Sequence, residues 1–153
     1  MGTYNLTAGD TAISCMDFGR FFCAKISIKV SEIIAANATL TANAKITAAD
    51  VIQLWDIPAD TVLLVSMATF KVVTPGTAAG TANIGIGGSN EFFPAIALDA
   101  AAGTLTSVAK ASGYGVDNYG AVPYATTDTI DMTFVADETT GEFELYIPGY
   151  FLK

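Results

Sequence analysis

Apolar and polar residues alternate over several short stretches of this chain, and that spacing is typical of β-strands with one buried face. The clearest example runs from Phe22 to Val30, where every second residue is apolar and Lys25 and Lys29 fall on the opposite side. We therefore predict a half-buried strand with a basic outer face for this segment.

A second alternation lies near the C-terminus, in residues 129–135 and again in residues 142–147. The intervening residues 137–141 are mostly polar and end in glycine, a composition that favours a turn. We predict a closing hairpin in which Glu142 and Glu144 lie on the outward, solvated face.

The most apolar stretch is Val51–Val73, which we interpret as two long strands joined at residues 57–60. The second of these strands is apolar on both faces over half of its length, so both faces need cover. A core can cover one face, and a second layer or another subunit must cover the other. The pattern therefore indicates a sandwich or an oligomer.

The remaining segments give weaker signals. Residues 31–45 are compatible with a loop or a poorer strand, and residues 91–102 with a short helix or, as we prefer, a strand and a tight loop. The Pro75-Gly76 pair predicts a type II turn with a positive φ at the glycine. About eight short strands without a long helical pattern predict an all-β fold, specifically an antiparallel, jelly-roll-like β-sandwich.

Charge is sparse and unevenly distributed. Charged residues make up 14% of the 153 residues, and the net charge is −8. Residues 1–50 contain four basic and four acidic residues, so the acidic excess lies after residue 50. An acidic surface disfavours nucleic acid as a partner, and no apolar run approaches the ~20 residues of a membrane span. Such low charge also indicates surface that is covered by a protein partner, although an alanine-rich core explains it too.

Candidate catalytic chemistry is limited because the chain contains no histidine, which excludes a Ser-His-Asp or Cys-His nucleophile. Paired carboxylates, either Asp128 with Asp131 or Asp137 with Glu138, Glu142 and Glu144, have the residue types of a glycosidase. The acidic turn at Asp137 is a weak candidate for calcium, since it lacks the regular spacing of a calcium loop. We expect no enzymatic activity, no cofactor and no metal.

The N-terminal residues combine features of an arm and of a strand. Residues 1 to 20 are polar and glycine-rich, yet they carry more apolar side chains than a disordered tail does. An arm that lies on a neighbour and a first strand that pairs within the domain both explain this composition. We expect residues 1–45 to form an N-terminal arm and lead-in strand, and residues 46–153 the β-sandwich domain. The start of the chain lacks a signal-peptide pattern, so we expect synthesis in a cytoplasm.

Glycines and tyrosines interleave in residues 111–129, a combination that is typical of recognition loops. Aromatic stacking together with carboxylate and amide hydrogen bonds is what glycans require, so a glycan- or receptor-binding module is an alternative function. Aromatic rings that fold back over the end of the sandwich also explain the pattern. The candidate recognition residues are Tyr114, Asp117, Asn118, Tyr119 and Tyr124.

The order of segments between Asp50 and Ile147 resembles the head decoration (cement) proteins of tailed bacteriophages. The resemblance rests on DVIQLWDIPADTVLLVSMATFKVV, then TANIGIGG, the ALDAAAGT turn, and finally TDTIDMTF and TTGEFELYI. It covers about two thirds of the chain and depends on segment order and composition rather than on a catalytic signature.

This resemblance implies a virion structural protein, often a homotrimer, that binds the outer surface of an assembled capsid and bridges neighbouring subunits of the major capsid protein. The alternative then becomes a glycan-binding module of a head or tail fibre. Under the capsid hypothesis, the neutral N-terminal third faces the shell. The residues that we expect at contacts with the shell or between protomers are Tyr4, Phe18, Arg20, Phe21 and Phe22.

Overall fold

The structure is a computed structural model that describes residues 3–5, 14–18, 21–77, 79–86, 90–108 and 121–152. These residues contain twelve strands, two short α-helices, α1 (Val30–Ala36) and α2 (Ala38–Asn43), and a 3-10 turn at Val65–Met67. The strands are β1 (Thr3–Asn5), β2 (Ser14–Phe18), β3 (Phe21–Lys29), β4 (Val51–Ile57), β5 (Thr61–Leu63), β6 (Thr69–Thr74), β7 (Thr81–Ile86), β8 (Asn90–Ala97), β9 (Leu105–Ser107), β10 (Val122–Tyr124), β11 (Asp128–Phe134) and β12 (Glu142–Phe151).

The strands form two sheets. The first has the order β1-β4-β11-β7-β8, and the second has the order β10-β5-β12-β3-β2. In the second sheet, β6 also pairs with β12 and carries β9 on its far side. Every described strand pair is antiparallel except β1 with β4. The predicted antiparallel β-sandwich is confirmed.

The inward residues of both sheets form one hydrophobic core. In β11, Ile130, Met132 and Phe134 are each 0% exposed, and in β12 the alternation continues through Phe143 and Leu145. Fully burying a side chain of this size stabilises a fold by roughly 1.5–3 kcal/mol. The period-two pattern in the sequence therefore marks the residues that hold the sheets together.

The two hairpins that the sequence suggested are wrong. Strand β4 belongs to the first sheet whereas β5 and β6 belong to the second, and β11 and β12 are divided in the same way. Each connection crosses from one sheet to the other. The apolar faces of the consecutive strands are therefore buried between the two sheets, and the strands do not pair edge to edge within one sheet. The 3-10 turn also breaks the expected long second strand into β5 and β6, which pair with different parts of β12.

Residues 31–45 contain most of α1 and all of α2, where the sequence predicts a loop or a poor strand. Val30, Ile33 and Leu40 are buried from one side of the helix pair. The side chain of Asn37 accepts hydrogen bonds from the backbone amides of Thr39, at 2.9 Å, and Leu40, at 3.3 Å, and so caps the start of α2. Alanine content and this cap favour helix over the few apolar residues that suggested a strand.

The predicted type II turn at Pro75-Gly76 is also wrong, because Gly76 does not adopt a positive φ. A Cβ atom at this position would lie 2.8 Å from Oε2 of Glu138, so close packing requires the glycine instead. The preferred strand in residues 91–102 is confirmed as β8, and Gly103 has the positive φ, +88°, in the loop that follows.

The described parts of the N-terminal segment pair with their own chain. β1 lies beside β4 at an edge of the first sheet, and β2 lies beside β3 at an edge of the second. β3, the expected lead-in strand, lies between β2 and β12 and pairs with β12 from Phe21 to Lys29. Among the described residues, no helix has the length and apolar character needed to cross a membrane.

Candidate interaction surface

An ion-pair cluster lies on the outer face of the second sheet, where β3 and β6 flank β12. The Glu144 carboxylate on β12 is 2.6 Å from Lys25 Nζ on β3 and 3.0 Å from Lys71 Nζ on β6. The hydroxyl of Tyr146 donates to the same carboxylate at 2.7 Å. One carboxylate therefore ties three neighbouring strands together from outside the core.

The contacts within this cluster favour the ionised forms of Glu144 and Lys25. The hydrogen bond from Lys25, followed by that from Tyr146, lowers the pKa of Glu144 to about 2. The hydrogen bond to Glu144 in turn raises the pKa of Lys25 and that of the Tyr146 hydroxyl. Glu144 does face outward as predicted, but with 15% of its side chain exposed it is not simply solvated.

Each lysine on the outer face of the second sheet lies close to a glutamate in the part of the chain that the structure describes. Its three lysines are Lys25, Lys29 and Lys71, and Lys29 lies 2.7 Å from Glu32 at the start of α1. Three glutamates, Glu32, Glu142 and Glu144, balance them. A face that neutralises its own charges loses less solvation energy when a partner covers it than a face with unpaired charges.

An exposed aromatic corner lies at one end of the second sheet, where β3 begins and β12 ends. Phe21 is 59% exposed and lies opposite Tyr150, with 5.7 Å between the ring centroids. Phe151 and Leu152 are 36% and 49% exposed at the same end of the sheet, where Phe151 follows the outward-facing Tyr150 and lies on the inward side of β12. We call these four residues, Phe21, Tyr150, Phe151 and Leu152, the aromatic corner.

Buried rings support the aromatic corner from below. Phe22 is 4% exposed, and its ring centroid lies 5.0 Å from that of Phe151 and 6.0 Å, edge to face, from that of Trp55. These contacts fix the end of β12 against the start of β3. Large exposed apolar side chains on a rigid base are typical of protein interfaces.

The structure places the predicted contact residues in different environments. Phe21 is exposed and remains a candidate, whereas the side chain of Phe22 belongs to the core, because successive residues of a strand face opposite sides. Tyr4 and Phe18 lie in β1 and β2 at sheet edges. Arg20 lies outside the described residues.

The outer face of the first sheet is acidic. Asp56 on β4 lies opposite Thr129 of β11, and Asp131 follows on the same face after a bulge. Burial raises the pKa of the Asp131 carboxyl, and its buried Oδ1 atom has no hydrogen-bond donor among the described residues. No lysine lies on the described strands of this sheet, so the two outer faces of the sandwich differ in charge.

The acidic side chains of the turn before β12 bind neighbouring loops and are not arranged as ligands for a metal ion. Lys45 Nζ lies 2.5 Å from Asp137, which also accepts a hydrogen bond from the backbone amide of Ala48. The hydrogen bond from Lys45 lowers the pKa of Asp137. Glu138 is 0% exposed and accepts a hydrogen bond from the backbone amide of Thr77. Within the described part of the chain, no three acidic or cysteine side chains are placed to bind a metal ion.

The candidate recognition loop lies mostly outside the described residues, which end at 108 and resume at 121. Tyr114, Asp117, Asn118 and Tyr119 all fall in that interval. Tyr124 is described, and the expectation of an exposed ring is wrong for it. It lies in β10, is 7% exposed and belongs to the core cluster, because it occupies an inward position of the strand.

The sequence analysis did not predict three residues of the aromatic corner, which are Tyr150, Phe151 and Leu152. The predicted last strand ends at Ile147; Pro148 and Gly149 follow it, and both residue types are uncommon in strand interiors. In the structure β12 continues to Phe151, and Pro148 directs its carbonyl to the backbone amide of Leu64 at 2.8 Å. Phe151 keeps the period-two phase of Phe143, Leu145 and Ile147, and it was the signal that could have extended the strand.

The fold is similar to that of chains in three solved bacteriophage capsids. A chain in the capsid of Ralstonia phage GP4 has a TM-score of 0.60 and 16% identity, with 97% of each chain covered. A chain in the acidic stable capsid of Helicobacter pylori bacteriophage KHP30 has a TM-score of 0.52 and 13% identity over 88% of this chain and 90% of that chain. A chain in the capsid asymmetric unit of cyanophage Pam1 has a TM-score of 0.53 and 15% identity, with 94% of each chain covered.

Neither a family model nor a curated protein sequence matches this chain. At these identities the three structural matches show a shared fold. The likeness extends over nearly the whole of each chain.

Proposed function

We propose that this protein is a virion structural protein that binds the outer surface of an assembled phage capsid and stabilises it by bridging neighbouring capsid subunits. The observation that carries the proposal is a fold likeness to a capsid chain that covers 97% of both chains. A shared fold alone does not assign a function, so the surfaces of this chain must supply the rest of the argument.

The outer face of the second sheet supports a role in association. Its lysines and glutamates neutralise one another, and the aromatic corner adds exposed apolar area at one end. Interfaces are typically depleted of unpaired charge at their centre and enriched in aromatic residues. We therefore assign this face, which includes the N-terminal strands β2 and β3, to the contact with the shell.

The first sheet fits the opposite role. Its outer face carries Asp56 and Asp131 without a neighbouring lysine on the described strands. Carboxylates that remain ionised keep an exposed surface soluble and prevent further stacking of protein on the particle. In this arrangement the acidic face points away from the shell, and the protein is a homotrimer that contacts several capsid subunits at once.

Cosedimentation with assembled capsids that lack this protein tests the proposal. The purified protein is expected to sediment with the capsids, to saturate at a fixed number of copies and to raise the temperature at which they release their DNA. Binding that does not saturate, or that leaves the release temperature unchanged, contradicts the proposal.

A further inference from the structure

One edge of the second sheet is the strand β2, which has no second partner strand among the described residues. β2 spans the five residues Ser14–Phe18 and contains no proline, and in the described part of the chain it pairs only with β3. An open strand edge presents a row of backbone donors and acceptors that can bind a further strand.

The other described edges are protected or very short. β8 contains Pro94, and the following Ala95 has a positive φ of 49°. β10 has three residues and contains Pro123, and β1 and β9 have three residues each. Proline, irregular backbone and short length are the usual means by which an edge avoids pairing, and β2 has none of them.

The register shows which backbone groups face the open edge. Pro148 pairs with Cys23, yet its carbonyl accepts a hydrogen bond from Leu64 on the opposite side of β12. The amide and carbonyl of Cys23 therefore point away from β12 and toward β2, where they pair with Met16. Since the direction alternates along a strand, the amides and carbonyls of Cys15 and Asp17 face the open edge.

We propose that this edge pairs with the same edge of a second copy, as antiparallel β2 strands related by a two-fold axis at Met16. This register matches Cys15 of each copy with Asp17 of the other and joins the two second sheets into one. A register centred on Asp17 would place two carboxylates opposite each other, which is unfavourable. A register centred on Cys15 would pair fewer residues of β2.

The contact goes beyond capsid binding, and it rests on the proposed function for its role, which is to couple trimers that lie side by side on the shell. A closed two-fold contact uses one patch twice and needs no additional partner. Five paired residues bind weakly in solution, but docking on a lattice raises the local concentration of the two edges.

Disulfide trapping at high protein concentration tests the pairing. In a background with Cys15→Ala and Cys23→Ala, Met16→Cys brings two cysteines opposite each other with a Cα separation of about 4.5 Å, which suits a disulfide. Ser14→Cys is the matched control, because its two copies lie roughly 13 Å apart along the strands. We expect a crosslinked dimer at least ten times more abundant for Met16→Cys than for Ser14→Cys.

Proline substitutions add a second readout. Asp17→Pro removes an amide that faces the open edge, so it is expected to abolish crosslinking of Met16→Cys while the protein stays folded. Equal crosslinking of the two cysteine variants, or crosslinking that survives Asp17→Pro in a folded protein, overturns the pairing. If Met16→Cys forms dimers but the protein does not bind capsids, the strand pairing is supported and the proposed function is contradicted. If the protein binds capsids but these dimers do not form, the proposed function is supported and the strand pairing is contradicted.

Discussion

The carboxylate of Glu138 accepts a hydrogen bond from the backbone amide of Thr77, a residue that precedes it by 61 positions in the chain. The backbone of Glu138 also pairs with Ile46, through amide-to-carbonyl distances of 2.8 and 2.9 Å. A single buried residue thus joins three connections at one end of the sandwich, those that precede β4, β7 and β12. Gly76 and Gly80 pack against its carboxylate, where a Cβ atom has no room.

This packing predicts that Gly80→Ala destabilises the fold by about 1–3 kcal/mol, since the added methyl group overlaps Oε2 of Glu138. Urea unfolding followed by circular dichroism measures the change. The double variant Gly80→Ala with Glu138→Ala provides the control, because removing the carboxylate removes the overlap. The free energies of the two single changes must therefore not add; additive values contradict the assigned contact.

The Glu144 cluster predicts a particular dependence of stability on pH. Because the folded pKa of Glu144 is lowered to about 2, its contribution is complete above its unfolded pKa and is lost as the pH falls through about 2. We expect Glu144→Gln to destabilise the protein by about 1 kcal/mol at pH 7, with a difference from the wild type that shrinks below pH 4.5.

The control for this measurement is Glu142→Gln, which removes the same charge from the same outer face of β12. Glu142 has no lysine within ion-pair distance among the described residues, so this variant should unfold at nearly the wild-type urea concentration. Equal effects of the two substitutions at pH 7 would show that the Glu144 cluster contributes no more than general surface charge.

Replacing Asp131 is expected to stabilise the protein, whereas replacing Glu144 is expected to destabilise it. Burial raises the folded pKa of Asp131, so ionisation opposes folding and the penalty grows as the pH rises through its unfolded value. Asp131→Asn is expected to raise the melting temperature at pH 7 by a few degrees, which corresponds to roughly 0.5–1 kcal/mol. The gain should disappear at pH 3, where the wild-type carboxyl is protonated; a gain that persists there points to a cause other than charge.

We predict that a substitution in the aromatic corner weakens capsid binding without changing the folding stability of the protein. Phe21→Ser removes an exposed ring, so it should leave the unfolding free energy within about 0.5 kcal/mol of wild type. It should weaken capsid binding by about tenfold or more, as expected for an aromatic residue at an interface. Val135→Ser is the matched control, because Val135 is 52% exposed directly after β11 of the first sheet, away from the corner and from the proposed contact face. Equal losses for both variants would place the contact elsewhere.

The sequence predicted the layers of this fold better than their connections. Period-two alternation located β3, β11 and β12 and the residues that they bury, because burial of one face leaves a direct mark on the sequence. The same alternation does not say which sheet a strand joins. For that reason the sequence predicts a hairpin for β11 and β12, although they lie in opposite sheets.

The candidate interaction surface was less predictable. The exposure of Phe21 and the burial of Phe22 depend on the phase of β3 relative to the core, and the sequence placed both at an interface. The Glu144 cluster combines residues from β3, β6 and β12 that are far apart in the chain, so only the strand order brings them together. The buried position of Glu138 likewise follows from a loop contact that leaves no local pattern.

Electron cryomicroscopy of purified virions would locate the protein relative to the shell. We predict density for this fold on the outer surface of the shell, with the outer face of the second sheet and the aromatic corner against capsid subunits and the Asp56 and Asp131 face toward solvent. Particles in which the protein is absent, or lies inside the shell, contradict this prediction.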